Sequence, residues 1–426
     1  MNSMNEEQLH EYLSQKENKY IDHILGLIYG NALGDAYGLG MNLSLSSKCS
    51  TEFWNKEAVK QRYPDVRELI PFPDYVTNRH NSRWDKGDWT DDTDQLIVLM
   101  NMLIENGGVV NLPDAAKKLK HWIENGFPEV GDLHGMGIGQ TVMGVTMHSK
   151  FTSNPLESSR EIWIQMGKRM GFKMAANGAV MRTSILGCAS FDQPEQVEKN
   201  SILCAQLTHW DPKCVISCTT ITSIQSAIIR HFKENNTSGG VSQEQIEQWI
   251  KDAEQQAKSV IDRLLVDKGY KGEFSEKEAK EQFEEYQQYL WSKPDLSDLK
   301  LDDETTIGYT YKCMGSAIWG VRSPHDFRKT IDLLIREGGD ADTNAAVCGA
   351  LIGCVIGYTK LPSDMLKALP NKAWLDQIVI KFLNNVILNP KPNQNVTTTT
   401  TGQADDEDTN KSNNNNNNNN SFLLKV

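Results

Sequence analysis

Apolar residues recur at three- and four-residue spacing along most of this chain, and no convincing alternation of apolar and polar positions is found. The first pattern lays one face of a helix on a core, whereas the second would mark a half-buried strand. The periodicity therefore predicts an all-α fold, a single compact multi-helix domain over residues 21–388. Helices are expected from Ile21 to near Gly38, from Thr51 to Pro64, from Asp94 to Glu105 and from Pro113 to Asn125. Further ones are expected from Pro212, over Glu244–Leu265 and Glu276–Trp291, from Pro324, and through the small-residue run that follows Asp340. Residues 1–20 read as a polar lead-in, and residues 233–300 as a Gln-, Glu- and Lys-rich helical outer segment. Beyond Asn389 come Thr and Asn runs, which cannot bury enough apolar surface to offset chain entropy, so 389–426 is expected to be a disordered tail.

Two of the helices carry glycine every four residues: Gly26, Gly30, Gly34 and Gly38 in the first, and Gly349, Gly353 and Gly357 in the last small-residue run. Glycine inside a helix costs about 1 kcal/mol relative to alanine. Packing of the two smooth ridges against each other is the expected compensation. If the ridges run antiparallel, Asp35 at the end of one comes close to Asp340 at the start of the other.

Candidate chemistry sits at two helix starts. Thr90, Asp91, Asp92, Thr93 and Asp94 crowd one, and Asp340, Asp342 and Thr343 the other. A single Asp or Thr suffices to cap a helix. The additional oxygens are hard ligands of the kind Mg²⁺ or Ca²⁺ takes, although a doubly decorated cap is the plainer alternative. Neither segment is an EF-hand loop, which needs Gly at its sixth position and Glu at its twelfth. Those positions hold Ala345 and Leu351 counted from Asp340, and Leu96 and Met102 counted from Asp91. Separate acidic clusters suit a site shared between helices and a pair of metals.

Between them lie weaker signals. Gly131, Gly135, Gly137 and Gly139 form a loop whose backbone N–H groups could approach an anion. Asn177 and Gly178 tolerate positive φ. His209 precedes a helix start at Pro212, where a lone histidine is more often structural than catalytic. Cys214 and Cys218 stand one turn apart near His209, but a zinc site would need a fourth ligand of suitable spacing.

Composition narrows the classes. The 426-residue chain has a net charge of −12, which argues against a broad nucleic-acid footprint, so no direct nucleic-acid partner is expected. Its eight cysteines lack a pairing rhythm, and residues 1–20 lack the apolar core of a signal peptide. Ala345–Tyr358 is shorter than the roughly 20 apolar residues that cross a bilayer. Free thiols, a cytoplasmic location, no membrane partner and a monomeric state are the expectations.

The segments GNALGDAYG, WTDDTDQ, NGAVMR, THWDP and GGDADTNAAVCGALIG, in that order, resemble the ADP-ribosylglycohydrolase family, which includes the dinitrogenase reductase-activating glycohydrolases. The resemblance implies a helical enzyme with two Mg²⁺ ions, Mn²⁺ being a possible substitute. It would hydrolyse the bond between ADP-ribose and an acceptor, either an ADP-ribosylated protein or a small conjugate such as O-acetyl-ADP-ribose, and release ADP-ribose. Matched position by position, Thr90, Asp91 and Asp92 would bind one metal, Asp340 and Thr343 the other, and Asp342 both. Gly137, Ile138 and Gly139 would hold the pyrophosphate, and Asn177, Gly178 and His209 would line the ADP-ribose pocket.

The family also uses a glutamate soon after its GDALG segment. Direct counting puts Asn42 there, whereas an insertion of MNLSLSSKCS puts Glu52 there, and Glu52 is the preferred catalytic residue beside Asp91 and Asp342. The position before Ile138, acidic in arginine-directed members, is Gly137 here. Modified arginine, modified serine, O-acetyl-ADP-ribose and poly(ADP-ribose) all stay open as substrates. A non-catalytic ADP-ribose-binding module, or a metal-dependent phosphohydrolase, are the alternatives.

Overall fold

Helices form where the apolar period places them. The computed structural model describes residues 18–39, 55–62, 80–170, 175–235 and 240–390. In chain order the α-helices are α1 (Lys19–Leu39), α2 (Lys56–Arg62), α3 (Asp91–Glu105), α4 (Leu112–Asn125), α5 (Gln140–Thr146), α6 (Pro155–Met170), α7 (Val180–Thr183), α8 (Pro194–Gln206) and α9 (Pro212–Asn235). They continue with α10 (Gln243–Val266), α11 (Glu276–Gln287), α12 (Leu296–Leu299), α13 (Thr310–Arg322), α14 (Phe327–Ile335), α15 (Ala341–Ile356), α16 (Ser363–Ala368) and α17 (Lys372–Phe382). Among the described residues there is no strand, and one isolated bridge joins Ala176 to Tyr309. None of these helices is long and apolar enough to cross a membrane. Asn42, Thr51, Glu52 and the stretch beyond residue 390 lie outside the described residues.

Local chemistry sets the helix ends. Asn111 accepts the Asp114 N–H at 3.2 Å to start α4, and Ser275 with Glu278 forms a reciprocal capping box at α11. The helix expected from Pro324 begins instead at Phe327, because Asp326 takes the Lys329 N–H at 2.8 Å. The run expected to reach Trp291 leaves α-geometry after Gln287 and finishes as a π turn, Gln288–Ser292.

The core is built around α1 and α15, each buried over nearly its whole circumference. Their glycines touch backbone to backbone. A Cβ added to Gly26 would lie 2.1 Å from the Gly353 carbonyl oxygen, one on Gly30 would lie 2.2 Å from that of Gly349, and one on Gly34 would lie 1.9 Å from that of Ala345. The two ridges pack on each other as predicted, and the rising and falling numbers show that the helices run antiparallel. Gly357 closes the ridge, its backbone carbon 2.9 Å from a Cβ added to Gly26, and ends α15 with φ +85°, a conformation that side chains with a Cβ rarely adopt.

Around this pair pack α3, α9, α13 and α14. The polar segment contributes α10, whose Ile246, Trp249, Ile250, Val260 and Ile261 are buried while its other face is solvated. Its following turn sends Tyr270 inward, where the ring stacks on Trp210 and the hydroxyl donates to the Trp210 carbonyl at 2.7 Å. Helix α2 is tied down by Lys56, which ion-pairs with Glu337 at 2.5 Å and gives its backbone N–H to Asp302 at 2.8 Å.

Candidate metal and substrate site

The antiparallel pairing carries Asp35, near the end of α1, to the start of α3. Its buried carboxylate accepts from the N–H and hydroxyl of Thr90 at 3.1 and 2.9 Å, and from those of Thr93 at 3.0 and 2.7 Å. Helix α3 is thus capped from another helix, which frees the carboxylates of Asp91 and Asp92. From the other side arrives α15, whose Thr343 hydroxyl donates to Asp92 Oδ2 at 3.2 Å. Carboxylate oxygens of Asp35, Asp92 and Asp342 all fall within 4.8 Å of one another. Thr90–Asp92 and Asp340–Thr343, 250 positions apart in sequence, therefore meet in one buried cluster.

One expectation needs correcting here. The aspartate of α15 that closes on Asp35 is Asp342 rather than Asp340, because the ridges register Gly38 against Ala341 and Asp342. Asp340 stands at the N-cap position of α15 but makes no capping hydrogen bond; its Oδ2 accepts from Asn177 Nδ2 at 2.7 Å. Asp91 is held through Oδ2, which accepts from Gln95 Nε2 at 2.9 Å. Its Oδ1 faces Gly137, where an added Cβ would stand only 2.2 Å away. Asp94 belongs elsewhere: its two oxygens accept from the indoles of Trp89 and Trp122 at 2.9 and 3.1 Å, a structural clamp under α3.

The acids outnumber the available protons. The Thr90 hydroxyl lies 2.9 Å from Asp35 Oδ1 and 3.0 Å from Asp92 Oδ2, yet it has one proton to give. Asp92 Oδ1 is buried without a hydrogen-bond partner among the described residues. Burial first, and then mutual repulsion, push Asp91, Asp92 and Asp340 well above the usual carboxylate range, and push Asp35 up to about 7. A divalent cation would relieve both the repulsion and the orphaned oxygen. The donors fit one, since Asp35, Asp91, Asp92, Asp340, Asp342, Thr90 and Thr343 supply only hard oxygen, the ligand type of Mg²⁺ and Mn²⁺.

This electrostatics has a measurable consequence. A carboxyl whose folded pKa exceeds its unfolded value binds more protons when folded, so its contribution to stability falls as pH rises between the two. For Asp35 that window runs from 3.8 to about 7. Metal-free protein is expected to lose stability across it, and Mg²⁺ or Mn²⁺ is expected to cancel the loss at the upper end. Thermal melts from pH 4 to 7.5 in EDTA and in metal would check this, and a metal-free melting temperature that rises steadily over the range would contradict it.

Two of the substrate-side candidates touch the cluster, Gly137 at Asp91 and Asn177 at Asp340. Gly137, with φ +83°, brings the loop onto Asp91, Ile138 packs on the core, and Gly139 caps α5. Neither Asn177 nor Gly178 uses the positive φ that such a pair tolerates. Gly178 supplies room instead, because an added Cβ would sit 3.0 Å from His209 Cε1. His209 is buried, and burial together with the Arg182 charge lowers its pKa to about 3, so its ring is neutral near pH 7. It lines a small recess with Thr141, Val145, Thr208 and Trp210. The zinc alternative finds no support: the thiol of Cys214 donates to the Ala176 carbonyl at 3.2 Å, and the metal-competent cluster among the described residues is the aspartate one. The seven described cysteines are buried and free.

The sequence profile of the ADP-ribosylglycohydrolases matches residues 16–392. The chain belongs to the ADP-ribosylglycohydrolase family. Its members are hydrolases of ADP-ribose conjugates, so the all-α architecture and the acid cluster now have a shared context. An ADP-ribosyl-[dinitrogen reductase] glycohydrolase of Rhodospirillum rubrum is 23% identical over 353 residues, covering 82% of this chain and 91% of the relative. An ADP-ribosylarginine hydrolase of Serratia proteamaculans is 23% identical over 363 residues, covering 85% and 77%. An uncharacterized protein of Archaeoglobus fulgidus is 24% identical over 367 residues, covering 86% and 96%. Among solved structures, an ADP-ribosylglycohydrolase-related protein complex shares the fold with a TM-score of 0.53 at 18% identity, over 87% of this chain and all of that one.

Sequence reasoning did not assign several residues that build the site. Asp35 was expected near the second acidic cluster if the ridges ran antiparallel, but it was given no role. Gln95, Arg182 and Thr208, buried polar groups on apolar helices or at their ends, carried no spacing signal. Tyr270 sat in a turn of the polar segment, to which no chemistry was assigned.

Proposed function

We propose that this chain hydrolyses the glycosidic bond between ADP-ribose and an acceptor, an ADP-ribosylated protein side chain or a small conjugate, and releases ADP-ribose. The observation carrying this reading is the convergence of Thr90–Asp92 with Asp340–Thr343 in one buried, proton-starved oxygen cluster. Two Mg²⁺ ions, held by Thr90, Asp91, Asp92, Asp340, Asp342 and Thr343, would supply Lewis acidity and charge for the ribose hydroxyls and the attacking water. The remaining work falls to side chains. Cleavage at the anomeric carbon develops positive charge on the ribose, which Asp91 and Asp342 would stabilise. Glu52 would take the proton of the water whose oxygen joins that carbon, while the acceptor leaves with a proton. The loop of Gly137, Ile138 and Gly139 would present its backbone to the pyrophosphate, and Asn177, Gly178 and neutral His209 would line the nucleoside side.

The test is incubation with ADP-ribosyl-arginine, ADP-ribosyl-serine, O-acetyl-ADP-ribose and poly(ADP-ribose), in Mg²⁺ and in EDTA, with product separation. Intact ADP-ribose that appears in Mg²⁺ and disappears in EDTA is the expected result. Saturable ADP-ribose binding without turnover would indicate a binding module, and AMP or free phosphate a phosphohydrolase; either overturns the proposal.

A further inference from the structure

One buried cation beside the cluster is not accounted for by the reaction. Arg182, on the short helix α7, is 1% exposed. Its Nη1 donates to Gln95 Oε1 at 2.8 Å, and its Nη2 donates to Thr208 Oγ1 at 2.7 Å and to the Cys204 carbonyl at 3.3 Å. Each neighbour passes the contact on. Gln95 Nε2 donates to Asp91 Oδ2 at 2.9 Å, and the Thr208 hydroxyl lies 2.8 Å from His209 Nδ1.

A guanidinium can only donate, which fixes the direction of the bonds from Arg182 to Gln95 and Thr208. Gln95 must turn its oxygen to Arg182, which leaves its amide N–H₂ for Asp91. The Thr208 oxygen accepts from Arg182, so its single proton is free for His209 Nδ1. With that proton given to Nδ1, Nδ1 accepts and the imidazole proton sits on Nε2. An added Cβ on Gly178 would lie 3.2 Å from Nε2, which has no hydrogen-bond partner among the described residues.

We propose that Arg182 is a positioning residue that sets two hydrogen-bond relays at once: one fixes which oxygen of Asp91 stays free for the metal cluster, and the other fixes the tautomer that makes His209 a donor toward substrate. The metal arm rests on the function proposed above; the tautomer arm does not. Arginine is needed because its planar fork reaches both partners in fixed geometry, whereas a lysine ammonium is a point donor.

The test uses the full chain labelled with ¹⁵N-histidine, with His209 identified by its missing signal in His209→Ala, together with calorimetric titration of Mn²⁺. Wild type is expected to show the Nε2–H tautomer. Thr208→Val should mix the tautomers while Mn²⁺ affinity stays within about twofold, and Gln95→Met should keep the tautomer while weakening Mn²⁺ by about 10- to 100-fold, the usual range for outer-sphere partners. Arg182→Met should do both, and Arg182→Lys should restore at most one. An Nδ1–H tautomer in wild type, or a folded Arg182→Met with both properties intact, would overturn the proposal. Should Arg182→Met fail to fold, the Thr208 and Gln95 variants decide, because a single shared defect in both would refute two separate arms. None of these readouts requires turnover. Absent hydrolysis with the relays intact therefore overturns only the proposed reaction. A wild type that binds no Mn²⁺ also removes the metal arm, and the tautomer then decides for or against Arg182.

Discussion

Asp342→Asn is expected to lower turnover on any accepted conjugate by about a thousandfold, the upper end of what removal of one preorganised electrostatic group costs. Asp342 closes the cluster from α15, with a carboxylate oxygen within 4.8 Å of those of Asp35 and Asp92. The amide keeps the shape, but it withdraws one negative charge and replaces an oxygen ligand with a nitrogen that cannot bind a hard cation. Fold stability should move the other way. In EDTA the variant should melt no lower than wild type, because a buried like charge has been removed. Added Mg²⁺ should then raise its melting temperature less than that of wild type, since ligand stabilisation grows with affinity. Asp91→Asn should behave similarly. Near-wild-type rates in both variants, with folding intact by circular dichroism, would remove the catalytic assignment. Reduced rates accompanied by lower metal-free stability would point to a packing role instead.

The second large effect concerns the glycine ridge. Gly34→Val should destabilise the protein by about 4 kcal/mol or more, which would place it among the rare severe substitutions. An added Cβ would lie 1.9 Å from the Ala345 carbonyl oxygen, and that obstacle is backbone, not a side chain that can rotate away. Overpacking by a few methylenes typically costs 1–3 kcal/mol when side chains can yield. Here α1 and α15 would have to separate, and they carry Asp35 and Asp342. The expected outcome is insoluble or partly folded protein, with metal binding lost in whatever fraction remains soluble. Gly240→Ala is the control: it is exposed, has no atom within 4 Å of the added Cβ, and should stay within about 0.5 kcal/mol of wild type. Urea unfolding followed at 222 nm compares the two. A Gly34→Val protein as stable as the control would show that the helices need not touch at this level.

These two variants bear on different parts of the inference. The Asp342 substitution tests chemistry on an unchanged scaffold, while the Gly34 substitution tests whether the scaffold brings the acids together. Loss of metal binding in the second, without loss of fold, would show that helix separation alone opens the cluster.

Much of the molecule was legible before any coordinates. The 3.6-residue period, the polar texture of α10 and α11, both glycine ridges and both acidic helix starts are local patterns, and a chain displays local patterns in order. The ridges even specified that the two helices pack together, though not in which direction. Opposition across that pair is another matter. Spacing tells which residues share a face, but not which residue of another helix stands opposite, because that depends on register to within one turn. Register set Asp342 rather than Asp340 against Asp35, and the cap that Asp35 supplies spared the carboxylates of Asp91 and Asp92 from binding the first-turn N–H groups. Asp94, equal to its neighbours in the sequence, was withdrawn from the site by two indoles. His209 became a neutral ring, and Arg182 a buried fork at its back, through contacts that no spacing encodes. The order of the helices was thus written in the chain, whereas the identity of the facing side chains was decided by packing, which fixes distance and burial together.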